Sequence, residues 1–158
     1  MFETIIWATD GSDAADGALP FASALAELEH GGLVAVHAKE VFVGGRATGL
    51  PVMADENELE TRIDRQVQEL RSVGVDATFK IVSGMTSNPA HMIAQAARDV
   101  AADASVVGTR GHGPIAGAVV GSVTQQLLHL APCPVLAVPP AKQVAKRRRK
   151  PEHAATVR

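Results

Sequence analysis

Five short apolar runs punctuate the chain, at Thr4–Thr9, Leu33–Ala38, Val75–Ile81, Ala104–Val107 and Val135–Val138. Between them lie stretches whose apolar residues recur at helical spacing. A helix after each strand carries the chain back to the end where that strand began, so the next strand runs parallel to it, through a right-handed crossover. The pattern predicts one α/β domain with an open parallel sheet and helices on both faces. No internal repeat interrupts it.

Local signals sharpen this outline. Asp10-Gly11-Ser12 supplies turn and capping residues after the first run. Ala18, Phe21, Ala22, Leu25 and Leu28 then mark a helix from Asp13 to about His30, with a distortion expected at Pro20 and a stop at Gly31-Gly32. Gly44 to Ala54 has no period and reads as a mobile loop. Leu59, Ile63, Val67 and Leu70 line one face of a charged helix ending at Gly74. In the third run Val75, Ala77, Phe79 and Ile81 alternate with Asp76, Thr78 and Lys80, as in a half-wet edge strand. Asn88-Pro89 opens a helix whose inward stripe is Ile93, Ala97 and Val100, and another helix spans about Ser122 to Leu130.

The chain has 158 residues, enough to bury a core without disulfides or a structural metal. With one Trp, four Phe and no Tyr, that core must come from Ala, Val, Leu and Ile, and aromatic stacking on a ligand is not expected. No apolar run approaches the roughly 18 residues of a membrane span. Neither an export signal nor a cysteine pair is visible, so the cytoplasm is the expected compartment. A formal net charge of -2 gives the folded body no electrostatic reason to bind nucleic acid. After Pro139-Pro140 the chain turns basic, with Lys146-Arg147-Arg148-Arg149-Lys150. The domain is thus expected to end near residue 140, leaving 141–158 as a flexible basic tail.

The segment from Val107-Gly108-Thr109-Arg110-Gly111-His112-Gly113-Pro114 to Gly121-Ser122 leaves a strand and enters a helix. Glycine lets backbone N–H groups approach phosphate oxygens, and the helix N-terminus adds unpaired donors and a favourable dipole. Ser122 and Thr124 can add hydroxyl donors. No Asp or Glu occurs between Ser105 and Pro151, and Arg110 is the only Lys or Arg between Ser105 and Ala141. A polyphosphate would therefore be held mainly by backbone donors, with limited charge assistance. The same glycines would also permit a plain surface turn.

The segment is not a G-x-x-x-x-G-K-[ST] loop. Gly111 to Ala116 fits the loose form G-x-G-x-x-A, but no acid follows about 20 residues later to hold a ribose. Ligands of open parallel sheets bind beyond the strand ends where strand order reverses. If the first and fourth strands flank that point, Asp10 meets the glycine loop, as a ribose or metal–water ligand or as a turn and cap residue. His37 reads as a hydrogen-bonded core histidine, His112 as either a phosphate donor or an idle loop residue, and Cys133 as a packing residue. The six histidines show no metal-ligand spacing.

Ala8-Thr9-Asp10-Gly11-Ser12, Val36-His37-Ala38 and Gly108-x2-Gly111-x9-Gly121-Ser122 resemble the universal stress protein family, the last matching the G-x2-G-x9-G-[ST] pattern of its ATP-binding branch. Ala131-Pro132-Cys133-Pro134-Val135-Leu136 is similar to the family's entry to its last strand. The resemblance covers nearly all of residues 1 to 140. It implies a Rossmann-like sheet of five parallel strands ordered 3-2-1-4-5, a homodimer formed through Val135–Val138, and ATP as ligand. Ala8, Thr9, Asp10, Ala38 and Val107 would line the adenine and ribose side. Gly108, Gly111, Gly121, Ser122, Val123 and Thr124 would hold the phosphates, joined on chemical grounds by Arg110 and His112. Departures from the family pattern are Ala38 in place of a common Val, the Gly113-Pro114 pair and the basic tail.

Three functions follow from these readings. The first is a stress-response module that senses a nucleotide and signals through a dimer or a partner. The second is a slow ATP hydrolase or phosphotransferase using Asp10 with Mg²⁺, helped by Arg110 or His112, although no general base is evident. The third is a nucleic-acid accessory protein acting through Lys146–Lys150, a stretch that also suits a merely solvated tail.

Overall fold

The computed structural model describes residues 2–40, 51–84, 88–110 and 120–140. Its elements follow in the order β1 (Thr4–Ala8), α1 (Asp13–Asp16), α2 (Leu19–Leu28), β2 (Gly32–Glu40), α3 (Pro51–Ser72), β3 (Asp76–Gly84), α4 (Pro89–Asp99), β4 (Ala104–Gly108), α5 (Ser122–Leu130) and β5 (Val135–Val138). All strand pairs are parallel and the sheet order is β3-β2-β1-β4-β5. This is the open, five-stranded Rossmann-like sheet that the alternation and the resemblance implied.

The central strands β1 and β4 bury both faces, which is why they read as near-continuous apolar runs. On one face Ile5, Trp7, Leu33, Ala35 and Val106 meet Ala18, Ala22 and Ala26 before and along α2, and Ile63 and Val67 of α3. On the other, Ile6, Ala8, Val36 and Val107 meet Ala90, Ile93, Ala94 and Ala97 of α4 and Leu127 of α5. Alanine dominates the inner stripes of α2 and α4, a small side chain suited to packing helices close against a sheet. Trp7 is fully buried, and its indole Nε1 donates to Ala15 O at 2.9 Å, which satisfies its one polar atom.

Four expectations change. The helix from Asp13 to about His30 is two helices, α1 and α2, separated at Gly17-Ala18. Pro20 falls in the first turn of α2, where its missing N–H has no helical partner to lose. Phe21 and Leu28 lie 49% and 70% exposed instead of facing the sheet, and Ala18, Ala22 and Ala26 take the buried stripe. The Gly44 to Ala54 segment is helical from Pro51 on, a proline suited to begin a helix, while residues 41–50 lie outside the described part. Ile81, expected inward on β3, is 42% exposed, and Val82 packs on the opposite face against the α4 layer.

The remaining boundaries agree closely. Asn88 caps α4 by accepting from Ala90 N at 3.1 Å, and α5 and β5 span the residues read from the sequence. β3 is an edge of the sheet, as its half-wet alternation suggested. The basic tail lies outside the described residues.

Candidate functional site

Because β1 lies between β2 and β4, the chain turns one way after β1 and the other way after β3, and the reversal point falls between β1 and β4. Ala8 is in register with Val107 of β4 and with Val36 of β2. Thr9 and Asp10 therefore emerge beside Gly108 and Thr109, with Ala38 two residues beyond Val36. Ala8, Thr9 and Val107 are buried, and Ala38 is half-buried.

The far wall is the start of α5. Gly121 precedes it and offers no side-chain cap, so its first-turn amides lack helical partners and, among the described residues, a capping side chain. Gly121 N donates to Thr109 O at 2.6 Å, which ties this helix end to the end of β4. Thr124 is buried, and its hydroxyl donates to Gly108 O at 2.8 Å. That bond gives Thr124 a structural duty in place of the free donor expected of it. Ser122 is exposed and Val123 half-buried at the helix entrance. Arg110 follows Thr109, and its Nε is buried without a hydrogen-bond partner. A buried guanidinium donor left open is costly and suits an anionic acceptor. Gly111 and His112 lie outside the described residues.

The turn after β1 is built from its own side chains. Asp10 Oδ1 accepts from Ser12 N at 3.0 Å, Thr9 Oγ1 accepts from Gly11 N at 3.1 Å, and Ser12 caps α1 by accepting from Ala15 N at 3.3 Å. Gly11 has φ +73, where a side chain is strained. Asp10 thus performs the turn role read for it, at the carboxyl end of β1 beside the switch point.

Sequence reasoning did not find the scaffold behind this turn. Arg62 of α3 donates to Gly11 O and to Asp16 Oδ2, the latter at 3.2 Å, and Gln66 Nε2 donates to Asp16 Oδ1 at 3.1 Å. His37 Nδ1 lies 2.9 Å from Thr9 O and its Nε2 lies 2.9 Å from Glu56 Oε1. Lys39 donates to Glu60 Oε1 at 2.8 Å, and that hydrogen bond, opposed by a lesser burial penalty and joined by the charges of Glu60 and Glu56, raises the lysine above its ordinary value. His37 is the hydrogen-bonded core histidine its apolar strand suggested. Its carboxylate partner, nineteen residues away across the β2–α3 connection, left no local signal.

Cys133 Sγ lies 3.4 Å from Ser105 Oγ at the opposite end of β4, in keeping with a packing role. Among the described residues, no His, Cys, Asp and Glu cluster is placed to hold a metal, and no helix is long and apolar enough to cross a membrane.

A doubly wound parallel sheet of this order, with its switch point between β1 and β4, defines an open α/β protein of the Rossmann-like type. The universal stress protein family profile matches residues 1–139, and the chain belongs to that family. A universal stress protein of Thermus aquaticus is 36% identical over 142 residues, covering 87% of this chain and 99% of its own length. Among solved structures, the universal stress protein UspA from Lactobacillus plantarum aligns with a TM-score of 0.73 at 22% identity, covering 87% of this chain and 97% of its own. A universal stress protein solved in complex with cAMP aligns with a TM-score of 0.57 at 27% identity, covering 86% and 95% of the two chains.

Proposed function

We propose that this protein binds an adenine nucleotide, ATP, in the crevice between β1, β4 and α5, and that it acts as a regulatory binding module. The observation that carries this reading is the uncapped start of α5 facing the end of β4, beside an Arg110 whose buried Nε has no partner. Ala8, Thr9, Asp10, Ala38 and Val107 receive the base and ribose. The α5 amides of Ser122, Val123 and Thr124, with Gly108, Arg110, Gly111, His112 and Gly121, receive the phosphates. The relative crystallised with cAMP supports an adenine ligand in this fold. Asp10 Oδ1 is engaged with Ser12 N, which supports a ribose-side binding role over a catalytic one.

Occupancy is passed on through a homodimer formed by β5, a sheet edge whose Leu136 is 40% exposed. Calorimetric titration of nucleotide-stripped protein with Mg-ATP, AMP and cyclic AMP, beside a folded Gly121→Val variant, tests ligand and site together. Saturable Mg-ATP binding lost in the variant supports the reading. No binding of any of the three by the wild type overturns it. Phosphate release from Mg-ATP no greater than in a protein-free control separates a binding module from a slow hydrolase.

A further inference from the structure

His37 is 5% exposed, and both of its ring nitrogens face oxygens. Thr9 O is a carbonyl and only accepts, so Nδ1 carries a hydrogen. An ionised Glu56 also only accepts, so the contact between Nε2 and Oε1 needs one further proton. Without it, two lone pairs would oppose each other across a part-buried contact.

We propose that this second proton makes His37 a clasp between the nucleotide crevice and α3. With both nitrogens protonated, Glu56 of α3 is tied through the imidazolium to Thr9 O, and the Thr9-Asp10 turn is held in place. When Nε2 loses its proton, Glu56 is released, the turn loosens and affinity for an adenine nucleotide falls. His37 is thus a positioning residue, acting on the ligand through Thr9 and Asp10.

The charged surroundings fit a local proton switch. On β2, Lys39 shares the face of His37 and is paired with Glu60, one turn along α3 from Glu56. Further along α3, Arg62 is occupied by Asp16 of α1 and by Gly11 O. On β3, the register partner of His37 is the apolar Ile81, and the adjacent Lys80 lies 3.8 Å from Asp99 of α4. Asp10 follows Thr9 and takes Ser12 N. Among the described residues, Glu56 is the carboxylate in contact with the ring, and its charge also acts on Lys39, which is hydrogen-bonded to Glu60.

The affinity effect rests on the nucleotide reading, but the proton count does not, so the full chain is tested in two ways. Ring-nitrogen NMR follows the protonation of His37 from about pH 5.5 to 8.5. Over the same range, melting temperatures without nucleotide and the Kd for Mg-ATP are compared between wild type and Glu56→Gln. The carboxamide can donate to a neutral Nε2, so this variant keeps both contacts without the second proton. The titration of ATP itself is common to both proteins and cancels.

Two protonated ring nitrogens at low pH, followed by roughly tenfold weaker Mg-ATP binding as Nε2 deprotonates, are expected in the wild type, on the scale of one charge-assisted hydrogen bond. Glu56→Gln should lose this extra pH dependence. Nε2 unprotonated throughout, or the same pH dependence in Glu56→Gln, overturns the proposal. Should Mg-ATP not bind at any pH, the nucleotide reading fails. The ring spectra and the pH dependence of melting then decide the clasp alone.

Discussion

Gly108→Ala separates two reasons for a glycine at the end of β4. A Cβ there would lie 2.7 Å from both the carbonyl carbon and oxygen of Ala14 and 2.9 Å from Ala15 N, all of them backbone atoms of α1. Comfortable carbon contacts begin near 3.5 Å, so α1 would have to retreat by roughly 1 Å. That retreat is resisted by the Ser12 cap, by the 2.9 Å bond from Trp7 Nε1 to Ala15 O, and by Arg62 and Gln66 on Asp16. Overpacking of this kind costs about 1–3 kcal/mol, while exchanging glycine for alanine in a strand returns about 0.5–1 kcal/mol of backbone entropy. The clash should win by about 1–2 kcal/mol, a fall of roughly 2–8 °C in melting temperature for a chain of this size. Calorimetry measures that fall. The single tryptophan, Trp7, reports any movement of α1 through its fluorescence. A variant that melts within about 1 °C of wild type with unchanged emission would falsify the close-approach argument. Gly108 would then be left with the phosphate-side role alone.

Other substitutions probe the frame around the crevice. Thr124→Val removes the hydroxyl that donates to the buried Gly108 O and should cost about 1–2 kcal/mol in urea unfolding, whereas an unchanged midpoint would mean that this bond adds nothing. Asp103→Ala removes the carboxylate oxygen that accepts from Glu3 N at 2.8 Å and Thr4 N at 2.9 Å. Faster hydrogen exchange at the Thr4 amide and a loss of about 1–3 kcal/mol are expected, and unaltered exchange would contradict that anchoring. Asn88→Ala deletes the α4 cap and the 2.7 Å bond from Nδ2 to Gln126 Oε1 on α5, so its melting temperature should drop by roughly 2–4 °C, the effect of about 1 kcal/mol.

Much of the fold is legible in the sequence because both of its periodicities are local. β4 and β5 have apolar runs bounded by turn residues, and α4 begins with a capping residue and a proline. The glycine segment's place between β4 and α5 is likewise a property of neighbours in sequence. The break at Gly17-Ala18 was harder to see, because Phe21 and Leu28 extend an apolar period that the fold leaves exposed in favour of small alanines. In that stripe, side-chain size decides how closely α2 can approach the sheet, and hydrophobic spacing alone does not encode it.

The sequence by itself determined the alternation of strands and helices, the apolar faces of the sheet, and a glycine-rich entry to α5, since each follows from backbone geometry over a few consecutive residues. Only the tertiary structure decided that Gly108 is a contact point for α1, that Thr124 spends its hydroxyl on Gly108 O, and that α3 reaches back through Glu56 and Arg62 to hold the Thr9-Asp10-Gly11 turn. Those contacts join residues far apart in the chain. Their partners are chosen by how the helices pack across the sheet, and no local pattern records that choice.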